Sequence, residues 1–403
     1  MPDVHGSDVD VVEAYLTLGL RLGRFDDAIV DAYYGPGALR DTVAAESRRE
    51  PGALLDDAST LLRRIDRGEG ESVEGQRRRW LQSQIRGLHM VCRVLAGEAV
   101  PYLDEVEACY GIRPDRVEED EVFEAHRRLE RALPGGGDLG ERVAALRARH
   151  VIPPDRLTAV IGHLAEELRA RTIALFGLPA GEHVDFELVT DKPWSGFNHY
   201  LGGFRSRVVI NTDLPVLSTS IAHLVAHEAY PGHHTEHSHK EAGLVRRRRQ
   251  DEQSISLIGT PACLLAEGLA DLGLEVLVGP TPHLAVAPMI RAAGLNYEIE
   301  AIDALAGFAE VSGRARGSLA IDLHDRGDGL DTVVDRAQRW LLLDPARARK
   351  AVEFLADPSW RAYVFCYAEG HRLCRSFAGG GPPPVPPLPR QRLMPPPLLP
   401  PPH

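Results

Sequence analysis

Cysteine is scarce in this chain of 403 residues: there are five, at positions 92, 109, 263, 366 and 374, with no C-x-x-C pair among them. A disulfide framework and a thiolate zinc site are therefore not expected. Long apolar runs are missing too, and without about 18 consecutive apolar residues no membrane-crossing helix is expected. The opening MPDVHGSDVDVVEAY has no basic stretch leading into an apolar one. Basic charge is in deficit, with 46 Lys and Arg against 58 Asp and Glu for a net charge of −12. That argues against a nucleic-acid partner, which would need a surplus of cations on some face. The run Arg246 to Arg249 is the exception and reads as a solvated edge beside Asp251 and Glu252. The expectation is a soluble, cytoplasmic protein with neither nucleic acid nor membrane as partner, and with a peptide or small molecule as substrate.

What is present is length enough for a large core and a strong helical period. Val11, Tyr15, Leu18 and Leu22 form one apolar stripe; Leu81, Ile85, Leu88, Cys92 and Leu95 form a second; Leu157, Val160, Ile161, Leu164 and Leu168 form a third. Turn clusters YYGPGA at 33–38 and LPGGGD at 133–138 punctuate these helices. The period changes only between His183 and Pro215. There Val184, Phe186 and Leu188 alternate with polar residues, and Val208, Val209 and Ile210 form a β-branched run, predicting two short strands around a Gly-rich connection. Helices return from 216 onward. The fold class is thus mainly α with a short β-hairpin or edge strand: a helical region at 1–180, a region at 181–377 packed with it as one domain, and a proline-rich tail at 378–403 read as disordered.

Directly after the β segment stands HEAYPGHH, residues 227–234. Two zinc-binding histidines on a regular helix need i, i+4 spacing, but the position four after His227 is Pro231. On an unbroken helix His233 would lie about 9 Å along the axis and roughly 120° round from His227, and His234 about 10.5 Å along. Proline breaks the ladder at that point, and Gly232 tolerates unusual backbone angles, so the P-G pair can fold the chain back and repair the spacing. His234 is the second choice to His233 as ligand, and His223 with His227 is a regular i, i+4 rival. Downstream, LLAEGLADLGLE sets Glu267 and Asp271 on one helix face. Glu267 can supply a carboxylate oxygen to a metal and Asp271 can orient a ligand histidine. Glu228 is then the general base. Late in the chain Tyr363, Tyr367 and His371 form one stripe, from which Tyr367, and less directly His371, are candidates to stabilise an oxyanion. In the β segment His199 and Tyr200 are candidate substrate contacts, with hairpin packing as the competing role.

Taken together, HEAYPGHH, the later AEGLAD and the near-terminal YAEG resemble the bacterial DUF885 family, which is similar to a branch of the α-helical zinc metallopeptidases related to oligopeptidases and Taq-type carboxypeptidases. The likeness runs from YLTLGLRLGRFDDAIVDAYYGP to about Phe377, nearly the whole folded chain. It implies a helical bowl, one Zn2+ on His227, His233 (or His234) and Glu267, Glu228 as base, and cleavage of peptide bonds in short peptides. The alternatives are a metal-binding scaffold that has lost catalysis, and a zinc amidohydrolase or esterase acting on non-peptide substrates.

Overall fold

The computed structural model describes residues 10–70, 73, 75–192, 194–358 and 360–378. Helix accounts for 65% of the structure and strand for 8%, so the fold is mainly α. The segment 379–403 lies outside the described residues, and Ala378, assigned to the tail from sequence, instead closes the helix Val364–Ala378. No described helix is long and apolar enough to cross a membrane.

The chain divides into two compact units, one holding the residues up to Ile112 with His239–Cys263, the other Arg113–Ser238 with the residues from Leu264. This division runs elsewhere than the boundary expected at 180. In the first unit the stripes on Val11–Leu22 and Gly75–Leu95 face inward, with Tyr15, Leu22, Leu81, Ile85 and Leu88 essentially without solvent contact. Two strands the sequence reading did not expect, β1 (Val30–Tyr33) and β5 (Ile255–Leu257), pair antiparallel here. At three and four residues each is too short to show a period. The Arg246 to Arg249 run is exposed, as expected of a solvated edge.

In the second unit the strands are β2 (His183–Val189), β3 (Gly196–Gly202) and β4 (Arg205–Asn211), in the order β2-β4-β3. This corrects the expected hairpin. The two strands predicted around a Gly-rich connection are parallel neighbours, registered His183 with Arg205, and the connection is itself a strand, antiparallel to β4. Parallel neighbours cannot be joined by a tight turn, so the chain crosses through β3. The hairpin is β3–β4, turning at Gly202, Gly203 and Phe204, all at positive φ. Val208 and Ile210 of β4 share a core with Ile161 and Leu164 of Pro154–Phe176 and with Ile221, Val225 and Ala226 of Ile221–Glu228. The sheet thus fixes the helix that carries His227, and β3 is the edge strand beside it.

Candidate functional site: a His-His-Glu cluster at a broken helix

The helix Ile221–Glu228 stops one residue before Ala229, whose dihedrals (−122°, −80°) are not helical, and a new helix starts at His233 and runs to Lys240. The break falls where Pro231 withholds an N–H from the ladder. Asn198 of β3 donates from Nδ2 to the Glu228 carbonyl at 2.6 Å, taking up one of the helix's terminal acceptors. Gly232 donates its N–H to the Ala226 carbonyl at 2.8 Å. A Cβ at 232 would fall 1.8 Å from the His227 carbonyl oxygen, so only glycine lets the chain turn this tightly. His233 is thereby brought back to His227, with their Nε2 atoms 3.1 Å apart.

The third member comes from Pro261–Val278. Glu267 Oε2 lies 3.3 Å from His227 Nε2, and Glu267 Oε1 lies 3.1 Å from His233 Nε2. This helix crosses Val364–Ala378 at backbone contact, since a Cβ on Gly268 would sit 2.2 Å from the Gly370 carbonyl oxygen. The crossing places Tyr367 over the cluster, its ring 6.2 Å from that of His227.

Protonation decides what the cluster can hold. His227 Nδ1 stands 2.8 Å from Asp271 Oδ1; an ionised carboxylate only accepts, so the Nδ1 proton is donated there. In the neutral ring Nε2 then carries a lone pair, aimed at Glu267 and at His233 Nε2. Consistent with that, Glu267 Oε2 receives no hydrogen bond among the described residues although it is buried. Two imidazole nitrogens and a carboxylate oxygen within 4.8 Å of one another could hold a metal ion, and two His with one carboxylate is a ligand set of the kind zinc takes. Without a metal the same convergence is met by protons. Burial works against charging His233, but the Glu267 carboxylate outweighs it and raises its pKa to about 9. Burial likewise opposes charge on His227, and Asp271 and Glu267 raise its pKa well above the usual value. Glu267 would be raised by burial, yet His233 and His227 bring it below the carboxylate range. Because Asp271 fixes the His227 ring, Asp271→Ala is expected to weaken metal affinity by about 10- to 100-fold, read by competition with a chromogenic chelator.

Of the cluster, His227 lines a cavity of about 1210 Å³ within the second unit, together with Glu228, Asp271, Tyr367, His371 and others. Glu228 is buried, and burial is the main cause that raises its carboxyl pKa, with Glu267 and Asp271 adding to it and the two histidines opposing. Burial raises the Tyr367 phenol well above its usual value, helped by the same carboxylates, so it is a proton donor at neutral pH. His371 lines the cavity one turn beyond Tyr367, 3.9 Å from Glu275 rather than at the cluster.

The alternative ligands and the two strand candidates lie as follows. His234, the second-choice ligand, points away: its Nε2 is 2.9 Å from Glu182 Oε2 and its Nδ1 2.8 Å from Ser206 Oγ, so both ring nitrogens are used in the core. His223 stands 3.6 Å from Asp271 Oδ1 with its side chain half exposed, outside the His-His-Glu group, because His227 turns Nδ1 and not Nε2 toward that side. Tyr200 is 4% exposed and stacks on His237 at 4.8 Å, a packing residue. His199 tilts against Phe197 at 4.7 Å and does not line the cavity, since the strand's alternation turns it to the sheet's other face. The sequence reading missed Asn198, which holds the end of the His227 helix, and Glu182, which receives His234, Tyr230 and Arg169. Neither sits in a spacing motif.

Glu182 makes a prediction. Burial would raise its pKa, but hydrogen bonds from His234, Tyr230 and Arg169 win and bring it down to about 2. A carboxyl with a folded pKa below its unfolded one stabilises fully above about pH 4.5 and loses that contribution as pH falls toward 2. Glu182→Gln is expected to cost about 3 kcal/mol at pH 7. Thermal melting followed across pH should show the gap to the parent protein closing below about pH 4.5.

No family model and no curated protein matches the chain. Among solved structures, one described as "the putative lipoprotein from Colwellia psychrerythraea" is similar with a TM-score of 0.48 and 15% identity, over 81% of this chain. The chain spans 60% of that structure's length, and the likeness is too distant to speak for activity.

Proposed function

We propose that this protein is a zinc-dependent hydrolase that cleaves peptide bonds in short peptides. The observation that carries the reading is the convergence of His227, His233 and Glu267, with His227 and Glu228 both lining one cavity. A divalent ion such as zinc held by those three would supply a Lewis acid, acidifying water and polarising a carbonyl. Glu228, buried and with a raised pKa, takes the proton from the attacking water and returns it to the leaving amine. Tyr367 donates its O–H to the oxygen that gains charge. The DUF885 resemblance of HEAYPGHH and AEGLAD supports the same assignment. A cavity of this volume admits a few residues of extended chain, which favours short peptides over folded proteins. Five free cysteines fit a reducing compartment, supporting a cytoplasmic location.

The test is product analysis with a mixed library of peptides two to ten residues long, using the zinc-loaded chain and the same sample stripped by chelator. Metal-dependent cleavage at peptide bonds is the expected result. Zinc bound without cleavage would leave a scaffold, and cleavage of only esters or non-peptide amides would assign another substrate class.

A further inference from the structure

The basic side chains around the cavity are largely neutralised by neighbours. Arg314 pairs with Glu121, Lys350 with Asp213, Arg347 with Asp344, Arg375 with Glu275 and Arg372 with Glu369. Arg316 differs. It lines the same cavity, is exposed to solvent, and among the described residues has neither an ion pair nor a hydrogen bond. It is held beside Tyr367 by helix packing: Ile299–His324 meets Val364–Ala378 with Gly317 against Phe365, where a Cβ on the glycine would fall 2.5 Å from the ring. Arg316 precedes that glycine, and Tyr367 follows that phenylalanine by two residues. The surrounding protein lowers the Arg316 pKa, opposed by the Tyr367 oxygen, and no carboxylate takes part.

A guanidinium that lines a cavity without a counter-ion among the described residues is free to pair with an arriving anion. The planar guanidinium fork matches a carboxylate. Because the position adjoins the proposed oxyanion donor, the anion belongs to the molecule being cleaved. We propose that Arg316 is a specificity-determining residue that binds a carboxylate of the substrate, either the free C-terminus or an acidic side chain. This rests on the hydrolase reading for what happens to the ligand, but not for its binding.

The experiment is calorimetric titration of the zinc-loaded Glu228→Gln protein with four probes: N-benzoyl-Gly-Phe as free acid and as amide, and the amides of N-benzoyl-Gly-Glu and N-benzoyl-Gly-Gln. At least one carboxylate probe should bind about 30-fold tighter than its uncharged twin, the size expected for hydrogen bonding between charged groups. Preference within the first pair identifies a C-terminal carboxylate, and preference within the second an acidic side chain. Adding Arg316→Met should bring the ratio to near one, and Arg316→Lys should retain part of it. Overturning results are a ratio near one with Arg316 intact, a ratio unchanged by Arg316→Met, no binding of any probe, or a ratio that vanishes on stripping the metal and so belongs to the ion. The comparison with Arg316 intact decides the matter even if the methionine variant fails to fold. Wild-type cleavage of acids and amides alike would sink this proposal and leave the hydrolase standing. Arginine-dependent binding with no cleavage would do the reverse.

Discussion

Glu228→Gln is expected to lower peptide turnover by about 10³-fold while the protein keeps one zinc per chain. The carboxylate closes the His227 helix, lines the cavity and is no member of the His-His-Glu group. Its backbone carbonyl is held by Asn198 whatever the side chain is, so the amide should sit where the acid sat. Glutamine keeps the shape and cannot accept the proton from water. Kinetics and metal content measured on the same sample check both halves. Retained activity would remove Glu228 from the chemistry, and loss of zinc would make it a ligand instead.

His233→Ala and His234→Ala should part company completely, although the residues are neighbours. The first removes an imidazole 3.1 Å from Glu267, and metal affinity should fall by more than the roughly 100-fold that loss of an orienting partner costs. The second removes a ring whose two nitrogens serve Ser206 and Glu182, leaving the buried Glu182 short of a donor, at a cost of about 3 kcal/mol in stability with zinc still bound. Zinc competition and thermal melting on the two variants separate the roles. If His234→Ala lost the metal and His233→Ala kept it, the turn at Pro231 would have to be read the other way.

Much of the fold was legible because its helices bury one stripe each, and Leu157, Val160, Ile161, Leu164 and Leu168 are all buried as their period requires. Strand β3 was hidden by its glycines, and the pairing of the two expected strands by chain order, since parallel pairing of β2 with β4 depends on a crossover that no local pattern encodes. In the site, the shared face of Glu267 and Asp271 could be read through helix arithmetic, and His227 through its motif. The choice between His233 and His234 could not, because the chain leaves helical geometry at Ala229 and the direction of each ring is set by what receives it: Glu267 for one, Glu182 and Ser206 for the other. Arg316 carries no motif at all. The proposed role rests on its having no counter-ion among the described residues, which is a property of the packed cavity and not of the sequence around it.

Zinc-edge X-ray absorption on the chain loaded with one equivalent of zinc tests the shared ion most directly. Two imidazole nitrogens at about 2.0–2.1 Å, completed by oxygen and without sulfur, are the predicted first sphere. A sphere with no imidazole, or the same spectrum after alanine replaces His227 and His233 together, would contradict it.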